Sequence, residues 1–146
     1  MANNSFGLII ATHSSLSKAY VDALELILNV SKSDIDTISF EVGDEIKDFE
    51  NRLSYLINNK YNSQDVLVLV DILGGTPYNI ATKFLSSNVK IITGINLPLV
   101  LEIEINRENN INLNNINIKK IIDSSKKDLL CINNILSNKR EDKEND

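Results

Sequence analysis

Tryptophan is absent and aromatic residues make up only 5% of the 146-residue chain, so its core has to be built from Ile, Leu and Val. Cys131 is the only cysteine, which excludes an intrachain disulfide and suits a reducing compartment. His13 is the only histidine, and with a single cysteine it leaves no ligand set for a classical zinc site. Basic charge is also in short supply: 15 Lys and Arg face 20 Asp and Glu, a net charge of −5. An acidic chain offers no basic face for a phosphate backbone, so nucleic acid is not expected as a partner. No apolar run reaches the ~18 residues of a membrane helix. The opening Met-Ala-Asn-Asn-Ser-Phe has neither the charged start nor the apolar stretch of a signal peptide. These absences lead to the expectation of a cytoplasmic protein without metal or cofactor.

Hydrophobic residues nevertheless make up 42%, enough for one domain of ordinary size. Phe6 to Ala11 is a short continuous apolar run, the pattern of a fully buried strand. Leu16, Ala19, Tyr20, Ala23, Leu24, Ile27 and Leu28 then recur at spacings of three and four, one face of a helix. Asp36 to Val42 predicts a second strand, and Asp44 to Asn59 a second helix with Ile46, Phe49, Leu53, Leu56 and Ile57 as its stripe. Val66 to Val70, all apolar, reads as the middle strand of a parallel sheet. A helix follows from Thr76, as N-cap, with Pro77 in the first turn, to about Ser86. A fourth strand is expected over Val89 to Thr93, then helices over about 97–105 and 113–125. Asp128 to Asn133 suggests a last short strand that takes in Cys131 as a small hydrophobe. The domain is thus expected over 1–136, with the charged stretch 137–146 as a disordered tail. Strand and helix alternate with short links, which predicts an α/β fold: a doubly wound, mostly parallel open sheet with helices on both faces.

In such sheets ligands sit beyond the carboxyl ends of the strands, where neighbouring connections leave for opposite faces. His13 follows the first strand and Asp71 the third, and in the common order 2-1-3-4 those strands are neighbours. A carboxylate that accepts from one imidazole nitrogen fixes the tautomer and leaves the other nitrogen as a nucleophile. It also favours positive charge on the ring as a bond forms. Gly74-Gly75-Thr76-Pro77 adds a turn whose backbone can approach a ligand, with free amides that favour an anion. A nucleophilic imidazole beside such a turn suggests a phosphohistidine. Thr12 and Thr76 are the next groups able to orient the ring.

Three segments, "GLIIATHSSLSKAYVDALELI", "VLVLVDILGGTPYNIATKF" and "ITGINLPLVLE", resemble the IIA components of the mannose family of the bacterial phosphoenolpyruvate-dependent sugar phosphotransferase system. With "ISFEVGDEI" between them the resemblance covers about residues 5–105. It implies phosphorylation of His13 by the phosphocarrier protein HPr, with passage of the phosphoryl group to a IIB component on another chain. Through IIB the protein would associate peripherally with a membrane IIC/IID transporter. The resemblance further implies that Asp71 orients His13, that Gly74, Gly75 and Thr76 face the phosphate, and that Asn96, Leu97 and Pro98 line a loop beside it. It implies a homodimer that exchanges a C-terminal antiparallel strand. One position departs from the pattern: Ser14 stands where the family usually has glycine. If the backbone there needs a positive φ, serine costs about 1 kcal/mol, and its hydroxyl becomes a candidate donor to the phosphoryl group. The competing expectation is a regulatory domain, in which phosphorylation of His13 controls a partner interaction instead of feeding transport.

Overall fold

The computed structural model describes residues 4–144. Four strands, β1 (Gly7–His13), β2 (Asp36–Phe40), β3 (Val66–Val70) and β4 (Val89–Thr93), form one sheet in the order β2-β1-β3-β4. All pairings between these strands are parallel. The helices are α1 (Leu16–Leu28), α2 (Ile46–Tyr55), α3 (Thr76–Ala81), α4 (Leu97–Glu108), α5 (Ile118–Lys126) and α6 (Ile132–Glu144). A parallel sheet carries helices on both faces, so its middle strands are buried twice over. Every residue of β3 is buried, and so are Gly7 to Thr12 of β1. Alternate side chains supply two cores. Leu8, Ile10, Leu67 and Leu69 pack toward α1, α4 and α5, with Leu24, Val100 and Ile103. Ile9, Ala11, Val66, Val68 and Val70 pack toward α2 and α3, with Phe49, Leu53 and Ile80. Each fully buried aliphatic side chain contributes roughly 1.5–3 kcal/mol, so these two layers hold the carboxyl ends of the strands in fixed register.

The structure moves several expected boundaries. β1 continues to His13, because Thr12 and His13 still pair with Ser39 and Phe40 of β2. β2 ends at Phe40, where Glu41 N–H donates to the Asp44 carboxylate at 2.8 Å and starts a turn. In α1 the buried residues are Ser17 and Leu24, while Leu16 and Ile27 of the expected stripe face solvent. The stretch after α2, Leu56–Lys60, widens to a π turn. Gly75, not Thr76, is the cap of α3, and Thr76 is its first helical residue, with no side-chain cap bond. α4 runs on to Glu108 since Glu104 and Arg107 are themselves buried. The expected helix over 113–125 is a single tight turn, Leu113–Asn115, followed by α5, with the Asn117 side chain accepting from Lys120 N–H.

The C-terminal strand expected over 128–133 is not there. Residues 129–131 are irregular, Cys131 is exposed, and Ile132 begins α6. Ile132, Ile135 and Leu136 repeat at three and four, the helical period, and among the described residues no strand edge pairs with the segment. Hence no antiparallel fifth strand exists among the described residues. Helical backbone carries on through Ser137–Glu144, while Asn145 and Asp146 lie outside the described residues.

At the far end of the sheet from the strand carboxyl ends, Arg107 is 1% exposed and fully engaged. Its Nε donates to the Phe6 carbonyl at 2.9 Å, Nη1 to the Glu104 carboxylate at 3.0 and 3.2 Å, and Nη2 to the Asp34 carbonyl at 3.0 Å. Lys32, also buried, pairs with Glu104 at 3.4 Å and with Glu108. This cluster ties α4 to the start of β1 and to the segment entering β2.

Candidate functional site

β1 and β3 are neighbours in register, with Ala11 opposite Val70. The chain then turns to opposite faces, toward α1 after His13 and toward α3 after Asp71. The two side chains meet at this divergence. His13 Nδ1 lies 3.0 Å from Asp71 Oδ2, and the His13 backbone N–H donates to the same oxygen at 2.9 Å. The other carboxylate oxygen accepts from Ile72 N–H at 3.0 Å. Asp71 is therefore held by three hydrogen bonds and is only 12% exposed, while the imidazole is 45% exposed. A carboxylate on Nδ1 places the proton there. Nε2 keeps its lone pair and has no hydrogen-bond partner among the described residues.

Two neighbours pin the ring. Phe40 meets it edge-on, with centroids 6.5 Å apart and planes at 81°, and Phe40 in turn stacks edge-on with Phe49. Gly75 lies against its other edge: a Cβ at that position would stand 2.6 Å from His13 Cε1 and 3.1 Å from Nε2. Glycine is needed there for space, not for conformation, because its φ of −77° suits any residue. Gly74, at φ +82°, is the residue that needs glycine's backbone freedom. The backbone amides of Gly74, Gly75 and Thr76 have no hydrogen-bond partner among the described residues.

Residues 7–121 match the EIIA-man family, described as the "PTS system fructose IIA component". The chain belongs to this family. Among its relatives, the fructose-specific EIIA component of the phosphotransferase system of Bacillus subtilis (strain 168) is 29% identical over 97 residues, 65% of this chain and 66% of that one. The mannose-specific EIIAB component of Escherichia coli (strain K12) is 23% identical over 100 residues, 67% of this chain but 31% of its own length. The chain thus spans just under two thirds of the first relative and less than one third of the second. Among solved structures, the IIA protein associated with the fucose utilization operon from Streptococcus pneumoniae superposes with a TM-score of 0.80 at 26% identity, over 93% of this chain and 99% of that one. The protein is a IIA component of the sugar phosphotransferase system, with the α/β fold of that family.

The remaining candidate residues of this IIA component separate by position. Ser14 has φ +51°, so the turn after His13 does require the left-handed region. Its N–H donates to the Phe40 carbonyl at 2.7 Å, and its side chain is exposed next to the imidazole. Thr12 is fully buried on the α1 side, where its hydroxyl accepts from Ser17 N–H at 2.7 Å. It shapes the entry into α1 and makes no hydrogen bond to the ring. Asn96 spends both ends of its amide on structure: Oδ1 accepts from Leu99 N–H at 3.0 Å as the cap of α4, and Nδ2 donates to the Ser125 carbonyl at 3.0 Å. Leu97 and Pro98 are half-buried in the first turn of α4, at the end of the strand beside Asp71's. Phe40 and Tyr20 are legible in the sequence only as strand and helix-stripe residues, and their nearness to the site escapes it. Tyr20 on α1 donates to the Ile95 carbonyl at 3.4 Å, and burial, aided by the charge of Asp71, pushes its phenol pKa above the ordinary value. No group of three or more His, Cys, Asp or Glu able to hold a metal occurs among the described residues. None of the described helices is long and apolar enough to cross a membrane.

Proposed function

We propose that His13 is the phosphoryl acceptor of this IIA component, and that its Nε2 takes the group from HPr and passes it to a IIB component. The observation that carries this reading is the hydrogen bond from Nδ1 to a carboxylate that is itself fixed by two backbone amides. It leaves one nucleophilic nitrogen, pointed away from Asp71. Nε2 attacks phosphorus in line with the bond to the donor. That bond breaks, and its electron pair leaves with the donor. The proton on Nδ1 stays in place throughout, so the ring gains positive charge beside the Asp71 carboxylate. Transfer onward reverses the sequence: the N–P bond breaks and its electron pair returns to Nε2. Little covalent chemistry is asked of the protein beyond positioning and charge stabilisation.

Gly74, Gly75 and Thr76 supply free amides toward the phosphoryl oxygens, and the Ser14 and Thr76 hydroxyls add donors within the same turn pair. Thr12, Asn96, Leu97 and Pro98 hold the surrounding backbone. The partners, the homodimer, the cytoplasmic location and the association with a IIC/IID transporter through IIB belong to this reading. The test is incubation with phosphoenolpyruvate, enzyme I and HPr, followed by intact mass and then by addition of IIB. One acid-labile phosphoryl group is expected, absent from His13→Gln and lost when IIB is added. Acid-stable phosphate that persists in His13→Gln would assign the reaction to another residue.

A further inference from the structure

Tyr20 is placed to act on the site from the α1 side. α1 begins at Leu16, shortly after His13, so its first turns stand beside the carboxyl ends of the strands. A helical side chain leans toward the N-terminus of its helix and covers the turn before its own Cα. Tyr20, in the second turn, therefore reaches back toward the strand ends. Its ring is half-buried and packs against the core that holds Leu24, Ile95 and Leu99. Its hydroxyl donates to the Ile95 carbonyl at 3.4 Å.

The sheet order shows what this side chain crosses. α1 packs on β1 and β2, while Ile95 lies just beyond β4. Between β1 and β4 runs β3, whose chain leads straight into Asp71. A phenol that spans from α1 to Ile95 thus passes over the end of β3. Ile95 is tied to that end as well, since its N–H donates to the carbonyl of Val70, the residue before Asp71, at 3.4 Å. Burial, and after it the charge of Asp71, lifts the Tyr20 phenol above its ordinary pKa, so the carboxylate and the phenol feel each other. Asp71 stands at the rim of the sheet and is nevertheless only 12% exposed.

We propose that Tyr20 is a positioning residue for the phosphoryl transfer: its ring shields the Asp71 carboxylate from water on the α1 side, and its hydroxyl fixes the loop after β4 against the end of β3. The inference rests on the role proposed for His13 and adds the group that keeps its partner effective. A carboxylate pulls less strongly on a neighbouring charge when water enters between or around them. Kept dry, Asp71 holds the proton on Nδ1 and supports the positive charge that the imidazole gains during transfer. Tyr20 acts through Asp71 and touches neither Nε2 nor the phosphoryl group. At 3.4 Å its hydroxyl bond is at the long limit, so the ring carries most of the effect.

The test compares wild type, Tyr20→Ala and Tyr20→Phe by labelling from phosphorylated HPr and by nitrogen NMR of the unphosphorylated histidine. Tyr20→Ala is expected to lower kcat about tenfold, a part of the loss expected when the Asp71 charge is removed outright, with KM within about twofold. Its imidazole is expected to populate the Nε2–H tautomer beside the Nδ1–H form, which the wild type holds alone. Tyr20→Phe keeps the ring and should restore kcat to within about threefold of wild type. In Asp71→Asn the Tyr20 phenol, assigned by its loss in Tyr20→Phe, should titrate lower than in wild type, because the charge that opposes the phenolate has gone. A Tyr20→Ala protein with wild-type kcat and only the Nδ1–H form overturns the inference, as does one whose loss lies in KM. So does a Tyr20 phenol that titrates alike in wild type and Asp71→Asn, a measurement that stands even if Tyr20→Ala fails to fold. A wild type that takes no phosphate from HPr removes the proposed function and this inference with it. Labelled wild type with an unmoved Tyr20→Ala removes the inference alone.

Discussion

Gly75→Ala separates the site from the fold. Alanine accepts the Gly75 backbone, at φ −77° and ψ 173°, without strain. The new methyl group would stand 2.6 Å from His13 Cε1, against the 3.4 Å at which ordinary contact begins. The ring must therefore move by about 0.8 Å (3.4 − 2.6) at that atom. It cannot simply swing aside, because Asp71 holds Nδ1 on one side and Phe40 closes another. Ile72, whose Cγ2 would lie 3.2 Å from the methyl group, limits movement of the loop itself. A misplacement of this size at a reacting atom costs on the order of 10² in rate, or roughly 2.7 kcal/mol of barrier. Stability should change by no more than about 1 kcal/mol, since the loss of backbone freedom in the unfolded chain favours alanine. Stopped-flow or quench labelling with phosphorylated HPr measures the rate, and urea unfolding measures the stability. Phosphorylation of the variant at the wild-type rate would refute the close packing of Gly75 on the imidazole.

Asp71→Asn should slow phosphoryl acceptance by about 10²–10⁴, roughly 3–5 kcal/mol, because the amide keeps a hydrogen-bonding oxygen but no charge; single-turnover labelling checks it. Ser14→Gly removes a side chain from φ +51° and should stabilise the chain by about 1 kcal/mol in urea unfolding. If the hydroxyl also serves the phosphoryl group, the same variant lowers the labelling rate, and unchanged labelling makes Ser14 only a strained turn residue. Glu104→Ala leaves Arg107 and Lys32 buried without their shared carboxylate and should cost about 3–5 kcal/mol, visible as an earlier urea midpoint with wild-type labelling rates below it.

The central fold was legible because its signals are local and strong. Five consecutive apolar residues, β-branched at Val66, Val68 and Val70 and followed by the Gly74-Gly75 turn, read as a doubly covered strand, and β3 is one. The meeting of His13 with Asp71 followed from a rule about strand ends plus a common strand order, and needed no knowledge of side-chain contacts. What stayed hidden depends on tertiary placement. Glu104 and Arg107 look like solvated charges in any helical stripe, yet they are among the most buried side chains because each satisfies the other and two backbone carbonyls complete the set. Phe40 alternates correctly for a strand, but its edge-on contact with His13 depends on register between two strands. At the C-terminus, four apolar residues in a short run fit strand or helix alike, and the period supplied by Ile135 and Leu136 decides for α6.

The position of the phosphoryl group on the imidazole tests the account most directly. With one histidine in the chain, heteronuclear NMR of the protein phosphorylated by phosphoenolpyruvate, enzyme I and HPr reports on that ring alone. Because Asp71 holds the proton on Nδ1, the phosphorus is predicted on Nε2, with its coupling to that nitrogen and to both ring carbons' protons, and Nδ1 still protonated. Phosphorus on Nδ1, or an imidazole unchanged while the protein carries phosphate, would contradict the account at its centre.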